Sequence, residues 1–201
     1  MRLFVAIDLP RDVKEALAAL CAGVPGARWV PAENMHVTLR FIGEVDGARR
    51  DDIIEALSEV RADGFDLEMQ GIGHFETRRQ PHALWVRVNR SEPLLRLRES
   101  VENAVQRAGL PPEGRKFMPH VTLARLKEAP PGRVESFMQE HNLFRSRAVP
   151  VSDFTLFSSF LSRNGALYRP EAEFPFVAAK ERDGAAEEEE EIYDPWGVSG
   201  S

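Results

Sequence analysis

The chain has 201 residues and a formal net charge of −6, and 43% of its residues are hydrophobic. That length suits one domain, or one domain built from two similar lobes, and the hydrophobic share is enough for a buried core. A single cysteine, Cys21, excludes an internal disulfide and a multi-cysteine metal cage. No apolar run approaches the roughly 18 residues of a transmembrane helix. No secretory signal is visible, so a cytoplasmic monomer without membrane contact is expected.

The net negative charge of the chain comes from its C-terminal end. The chain contains 26 Lys and Arg against 32 Asp and Glu, and residues 180–201 hold two of these bases and eight of these acids. Residues 1–179 are therefore electrically balanced, and a polyanion such as RNA is compatible with them. Five consecutive glutamates, at 187–191, cannot form a packed core. Two segments are predicted: a folded domain over 1–177 and an acidic, disordered tail over 178–201.

Strand and helix periods alternate along the folded part. The sequence predicts a first strand over 2–8 and an amphipathic helix over 11–22. Further strands are predicted over 34–42, 65–73, 82–89, 117–125, 149–160 and 166–175, and further helices over 47–61, 93–108 and 131–141. The order strand, helix, histidine-bearing strand occurs at 2–42 and recurs at 82–125, which indicates an internal duplication. We therefore predict an α+β fold in which each half contributes a sheet to one cleft.

One tetrapeptide occurs in both halves. Residues 36–39 and 120–123 both read His-Val-Thr-Leu, and the two histidines are 84 positions apart. The period of two in a strand places His36, Thr38 and Arg40 on one face. It places His120 and Thr122 together in the second copy, but it gives Arg125 the opposite parity unless the strand bends or bulges after Leu123. The remaining positions form apolar faces suited to a core: Met35, Val37, Leu39 and Phe41 in the first copy, and Phe117, Pro119, Val121 and Leu123 in the second.

The doubled motif has the chemistry of acid–base catalysis. Imidazole exchanges protons near neutral pH, so one histidine can take a proton from water while the other supplies one to a leaving oxygen. A threonine hydroxyl on the same face can donate to a phosphate oxygen. A single His-x-Thr is typical of an ordinary polar strand face, whereas two copies at equivalent places favour a shared site. No close histidine or carboxylate spacing supports a zinc site on His36 and His120, so no metal and no cofactor are expected.

Two further residues are candidate contacts. Arg40 shares the predicted face of His36 and could anchor a phosphate, although a solvated strand charge explains it equally well. Phe75 follows the predicted strand over 65–73 and could stack on a base, with plain packing as the alternative.

The chain resembles the 2H phosphoesterases, and within them the RNA 2′,3′-cyclic phosphodiesterases once described as 2′–5′ RNA ligases. The resemblance covers residues 2–176. It rests on the paired His-x-Thr motifs and their flanks: the opening Arg-Leu-Phe-Val-Ala-Ile-Asp-Leu-Pro at 2–10, the stretch from Trp29 to Gly43, Pro-His-Val-Thr-Leu-Ala-Arg at 119–125, and the segments 156–159 and 165–168.

The resemblance implies a bilobed fold with a pseudo-twofold cleft and the opening of an RNA 2′,3′-cyclic phosphate end to a 2′-phosphate. By this resemblance His36 is the proton donor and His120 the proton acceptor. Thr38, Thr122 and Arg125 hold the phosphate. The substrates implied are RNA ends, such as tRNA halves, or small nucleotides. Two alternatives stay open: ligation of RNA through a 2′–5′ linkage at the same site, and a nucleotide- or RNA-binding module without turnover.

Overall fold

A computed structural model describes residues 1–162 and 165–177, and the predicted tail over 178–201 lies outside these residues. The first half contains β1 (Arg2–Asp8), α1 (Arg11–Ala18), β2 (Ala27–Trp29), a short 3-10 turn (Ala32–Asn34), β3 (His36–Glu44), α2 (Gly47–Ser58), β4 (Phe65–Leu67) and β5 (Met69–Thr77). The second half contains β6 (Gln80–Val88), α3 (Glu92–Arg107), β7 (His120–Leu126), α4 (Pro131–Glu140), β8 (Val149–Val151), β9 (Asp153–Ser162) and β10 (Gly165–Pro175).

The predicted alternation of strands and helices is confirmed, with differences at a few boundaries. The strands predicted over 65–73 and 149–160 are each divided into a short and a long strand, and β2 and the 3-10 turn were not predicted. Helix α1 ends at Ala18 rather than at residue 22, because Leu20 and Cys21 donate to carbonyls three residues back. Such bonds tighten the chain into a 3-10 turn and stop the α-helix.

Two of the helices, α2 and α3, begin where the sequence supplies a side-chain cap. Asp46 accepts a hydrogen bond from the Arg49 N–H at the start of α2, and Ser91 accepts one from Leu94 at the start of α3. These side chains satisfy backbone donors that have no partner within the helix. Pro131 begins α4, at a position where a missing N–H is tolerated. Among the described residues, no helix has both the length and the apolar character needed to cross a membrane.

The strands form one eight-stranded sheet and one two-stranded sheet in the described part of the chain. The order of the large sheet is β10-β9-β1-β3-β7-β6-β5, with β2 also paired to β7, and β4 pairs with β8 in the small sheet. The order β1-α1-β3-α2-β4-β5 recurs as β6-α3-β7-α4-β8-β9, so the predicted duplication is present. The last strand of each repeat pairs with the first strand of the other, since β5 pairs with β6 and β9 with β1.

The two lobes meet at the centre of the large sheet. The only paired residues between β3 and β7 in the described chain are Val37 and Val121, both fully buried. The predicted α+β bilobed fold is confirmed, and the sheets of its two lobes are continuous through this one pair. The apolar core includes Leu3, Leu84 and Phe154 beside these valines. Cys21 packs at the edge of this core, and burial raises the pKa of its thiol to about 11.

Candidate active site

A β-bulge interrupts each His-x-Thr strand one residue after the threonine. In the first lobe Ala6 pairs with Thr38 and Val5 with Arg40, which leaves Leu39 as an extra residue. The second lobe repeats this arrangement one residue past Thr122, where Leu123 is the extra residue between the partners of Trp85 and Leu84. One extra residue reverses the alternation of faces beyond it. Positions 40 and 124 therefore turn toward the core, and positions 41 and 125 turn toward the face of the histidines.

The bulge places Arg125 on the face of His120 and Thr122. Its side chain is exposed and has no ion-pair partner within the described residues. Burial lowers the pKa of His120, and the positive charge of Arg125 adds to this effect. Burial raises the pKa of Tyr168, and the Arg125 charge opposes that rise, so the guanidinium lies near both groups. Strict alternation from His120 would have placed Arg125 on the opposite face of the strand, and the bulge explains why it lies on the face of the site instead.

The prediction that Arg40 shares the face of His36 is wrong, because the same bulge turns Arg40 into the core. Its side chain is only 7% exposed, and its Nε lies 2.7 Å from Oε2 of Glu102. Its Nη2 also donates to the carbonyl of Pro111. Arg40 is consequently a buried structural cation and not a phosphate contact.

Phe41, expected in the core, takes the place on the cleft face that Arg40 was predicted to have. Residue Phe41 is 50% exposed, and the guanidinium of Arg115 lies 5.8 Å from the centroid of its ring. It is the counterpart of Arg125 in the first lobe, since each residue follows its histidine by five positions.

Both histidine rings are oriented by a backbone carbonyl two residues earlier. Nδ1 of His36 lies 2.7 Å from the oxygen of Asn34, and Nδ1 of His120 lies 2.6 Å from that of Met118. A carbonyl only accepts, so in each ring Nδ1 carries the proton and Nε2 is left for chemistry. Nε2 of His36 is 3.0 Å from Oγ1 of Thr38.

The central strand pair brings the two motifs together. With Val37 opposite Val121 in an antiparallel register, His36 lies beside Thr122 and Thr38 beside His120. The two imidazoles are close enough for the charge of His120 to lower the pKa of His36. The four predicted side chains therefore share one cleft.

Each imidazole also lies against aromatic rings of its own lobe. The ring of His36 is 4.9 Å from that of Phe4 and 5.4 Å from that of Tyr168. The ring of His120 meets Phe75 edge to face at 5.1 Å. Phe75 is thus at the site, while its predicted contact with a base stays a prediction. Phe4 and Tyr168 were not among the predicted site residues, although both lie in segments that carry the family resemblance, 2–10 and 165–168.

Burial dominates the protonation of the two histidines. It lowers the pKa of His36 to about 4, against the raising effects of the Asn34 carbonyl and the Asp8 charge. It also lowers the pKa of His120, and the Arg125 charge adds to this effect. Both imidazoles are therefore neutral at pH 7 before a ligand binds. Among the described residues, no group of three or more His, Cys, Asp or Glu is arranged to hold a metal ion.

Comparison with known proteins gives the family. Residues 7–85 and residues 86–168 each match the model of the LigT-like phosphoesterases. This chain belongs to that family. The two matches divide the chain near the end of β6, in agreement with the duplication, and the expected membership of the 2H phosphoesterases is confirmed.

Individual LigT-like proteins resemble the chain over most of its length. It is 35% identical over 175 residues to the "RNA 2′,3′-cyclic phosphodiesterase" of Thermotoga maritima, a match that covers 84% of this chain and 92% of the relative. A crystal structure from Thermus thermophilus has a TM-score of 0.74 and 27% identity, and covers 89% of this chain and 100% of that one. Escherichia coli LigT in complex with 3′-AMP has a TM-score of 0.69 and 26% identity, with 88% and 98% covered.

Proposed function

We propose that this chain hydrolyses RNA 2′,3′-cyclic phosphate ends to 2′-phosphates, without a metal, by acid–base catalysis between His36 and His120. The observation that carries the proposal is the convergence of two imidazoles, each held at Nδ1 by a carbonyl with Nε2 left for proton transfer. The name of the Thermotoga maritima relative supports this substrate, and the 3′-AMP bound to Escherichia coli LigT supports a nucleotide site in this fold. We assign the activity to a domain over 1–177.

The proposed reaction is an in-line displacement at phosphorus. Nε2 of His120 takes a proton from water, and the water oxygen forms a bond to phosphorus as the bond to O3′ breaks. Nε2–H of His36 gives its proton to O3′, which leaves the phosphate on O2′. The hydroxyls of Thr38 and Thr122 donate to the other phosphate oxygens, where negative charge grows in the transition state.

Arg125 completes the proposed phosphate contacts. It lies on the face of His120, and its guanidinium has two parallel donors suited to a phosphate. Its neighbourhood supplies no carboxylate that forms an ion pair with it among the described residues, so its charge is available to an anion.

The acid role of His36 requires that its ring take up a proton from solvent when the substrate binds. With a pKa of about 4, His36 is neutral at pH 7 in the free protein. A phosphate anion close to the ring favours the imidazolium and raises this pKa. Binding of the substrate is therefore coupled to proton uptake, and the loaded site holds one charged and one neutral imidazole.

The test is ring opening of an oligonucleotide with a 2′,3′-cyclic phosphate end, in the presence of EDTA. His36→Ala and His120→Ala should each lower kcat by roughly 10²–10⁴-fold, the usual contribution of one proton transfer. His141→Ala is the matched control, because this histidine packs on Phe137 at the end of α4, away from the motifs. Absence of turnover in EDTA, or equal losses in the control, would contradict the proposal.

A further inference from the structure

The two histidines have different neighbours on the adjacent strands. Asp8 of β1 pairs with His36, and Arg87 of β6 pairs with His120. Directly opposed residues project from the same side of an antiparallel sheet, so each neighbour lies on the face of its histidine. Lys14 neutralises the Asp8 carboxylate at 2.6 Å. Arg87 is exposed and forms no ion pair within residues 1–162 and 165–177.

The same contrast occurs five residues after each histidine. Phe41 stands in the first lobe where Arg125 stands in the second. The lobe of His120 thus presents two arginines without carboxylate partners in the described chain, whereas the lobe of His36 presents an ion pair and a phenyl ring. A bound polyanion gains more from contact with the lobe of His120.

A polar cavity begins at Arg87. Its volume is about 360 Å³, and it is lined by Gln70, Gly71, Ile72, Arg87, Asn89 and Asn142. This volume lies within the usual range for small-molecule sites. Side-chain amides offer both a donor and an acceptor, as the edges of nucleobases require. Asn89 donates to Oε2 of Glu68 at 3.4 Å, which leaves its carbonyl oxygen to accept from a ligand.

We propose that this cavity is a subsite for a second nucleotide of RNA, next to the nucleotide that carries the cyclic phosphate. Arg87 binds the phosphate of the second nucleotide, and the amides of Gln70, Asn89 and Asn142 contact its base. The inference rests on the proposed function, since the cyclic phosphate must lie between His36 and His120. The second nucleotide belongs either to the substrate chain itself or to a 5′-hydroxyl acceptor that takes the place of water; both present the same chemistry.

The test compares a nucleoside 2′,3′-cyclic monophosphate with a dinucleotide that has the same cyclic end. Arg87→Ala should raise KM for the dinucleotide about tenfold, the effect of one lost charge-assisted hydrogen bond, and should leave the mononucleotide within about twofold. Arg96→Ala is the control, because Arg96 forms only an exposed pair with Glu92 on α3. A parallel arm measures joining of the cyclic mononucleotide to a 5′-hydroxyl dinucleotide. A loss confined to this arm identifies the acceptor as the occupant.

Other outcomes overturn the subsite. An equal loss with both substrates would mean that Arg87 acts at the reactive phosphate, and no loss in any arm would mean that the cavity is unused. Calorimetric binding of a dinucleotide with a 2′-phosphate end tests the subsite even if no turnover occurs and the proposed function fails. Arg87→Ala should then weaken binding about tenfold and reduce the slope of log K against log salt by about 0.7, and an unchanged affinity refutes the proposal.

Discussion

Replacement of Arg40 by alanine should lower the free energy of unfolding but should leave the catalytic activity almost unchanged. Arg40 and Glu102 have side chains only 7% and 8% exposed, and their Nε and Oε2 atoms are 2.7 Å apart. Removal of one partner of a buried ion pair leaves an uncompensated buried charge, which lowers the free energy of unfolding by about 3–5 kcal/mol. Because Arg98 still lies 3.5 Å from the Glu102 carboxylate and compensates part of its charge, we expect a loss at the lower end of this range, near 3 kcal/mol. For a chain of this size that loss lowers Tm by about 10 °C.

The assay is urea denaturation of the wild type and of two variants, Arg40→Ala and Arg125→Ala, with kcat/KM measured at 25 °C on each. The two arginines flank equivalent bulges, so Arg125→Ala is a matched control that should keep its stability and lose activity. Arg40→Ala should lose about 3 kcal/mol of unfolding free energy and keep kcat/KM within about threefold. A loss below 1 kcal/mol together with a tenfold fall in kcat/KM would refute the assignment of Arg40 to the core.

The same pair gives the stability difference a pH dependence. Burial opposes ionisation of Glu102, but the N–H of Glu113, the amide of Gln106 and the neighbouring arginines outweigh it, so its pKa is lowered. A carboxylate with a lowered pKa stabilises the fold above its unfolded pKa, and this contribution is lost as pH falls through the folded pKa. The difference in free energy of unfolding between the wild type and Arg40→Ala should therefore become smaller below about pH 4.5.

Three further predictions concern the site. Since the pKa values of His36 and His120 are both lowered, kcat/KM should be bell-shaped in pH with its maximum below pH 6.5, and a maximum above pH 7 in initial-rate profiles would contradict this. Asn34→Ala removes the 2.8 Å hydrogen bond from the Asn34 side chain to the Ala166 carbonyl and so loosens the Asn34 carbonyl that orients His36. In steady-state assays kcat should fall about fivefold with KM little changed, and a change in KM alone would contradict this role. At Gly73, a new Cβ would lie 2.2 Å from the Trp85 ring, so Gly73→Ala should destabilise the fold by about 1–3 kcal/mol and shift tryptophan fluorescence, whereas an unchanged spectrum would argue against this contact.

Much of the fold and the centre of the site follow from the periodicity of the sequence. The alternation of strands and helices, the duplication and the common faces of His36 with Thr38 and His120 with Thr122 were all predicted, because period-two patterning holds from each histidine to its threonine.

The periodicity did not predict the β-bulges that lie one residue after Thr38 and Thr122. The bulges at Leu39 and Leu123 contain neither glycine nor proline, so no residue type marked the extra position. As a result Arg40 and Phe41 were assigned to each other's faces. Tyr168 reaches His36 through strand pairing from the far end of the chain, and that pairing depends on the whole sheet order rather than on any local pattern.

Duplication supplies two similar histidines, whereas the proposed reaction needs one acid and one base. The difference must come from residues outside the repeated motif. Burial lowers the pKa of both histidines. The Asp8 charge opposes this lowering at His36, although Lys14 offsets Asp8 in part, whereas the Arg125 charge adds to the lowering at His120. These signs favour a proton on His36 and a neutral His120, which are the states of the proposed donor and acceptor. In the free protein burial outweighs these neighbours and lowers the pKa of His36 to about 4, so the unequal neighbours can decide which histidine is charged only when a bound phosphate offsets the burial.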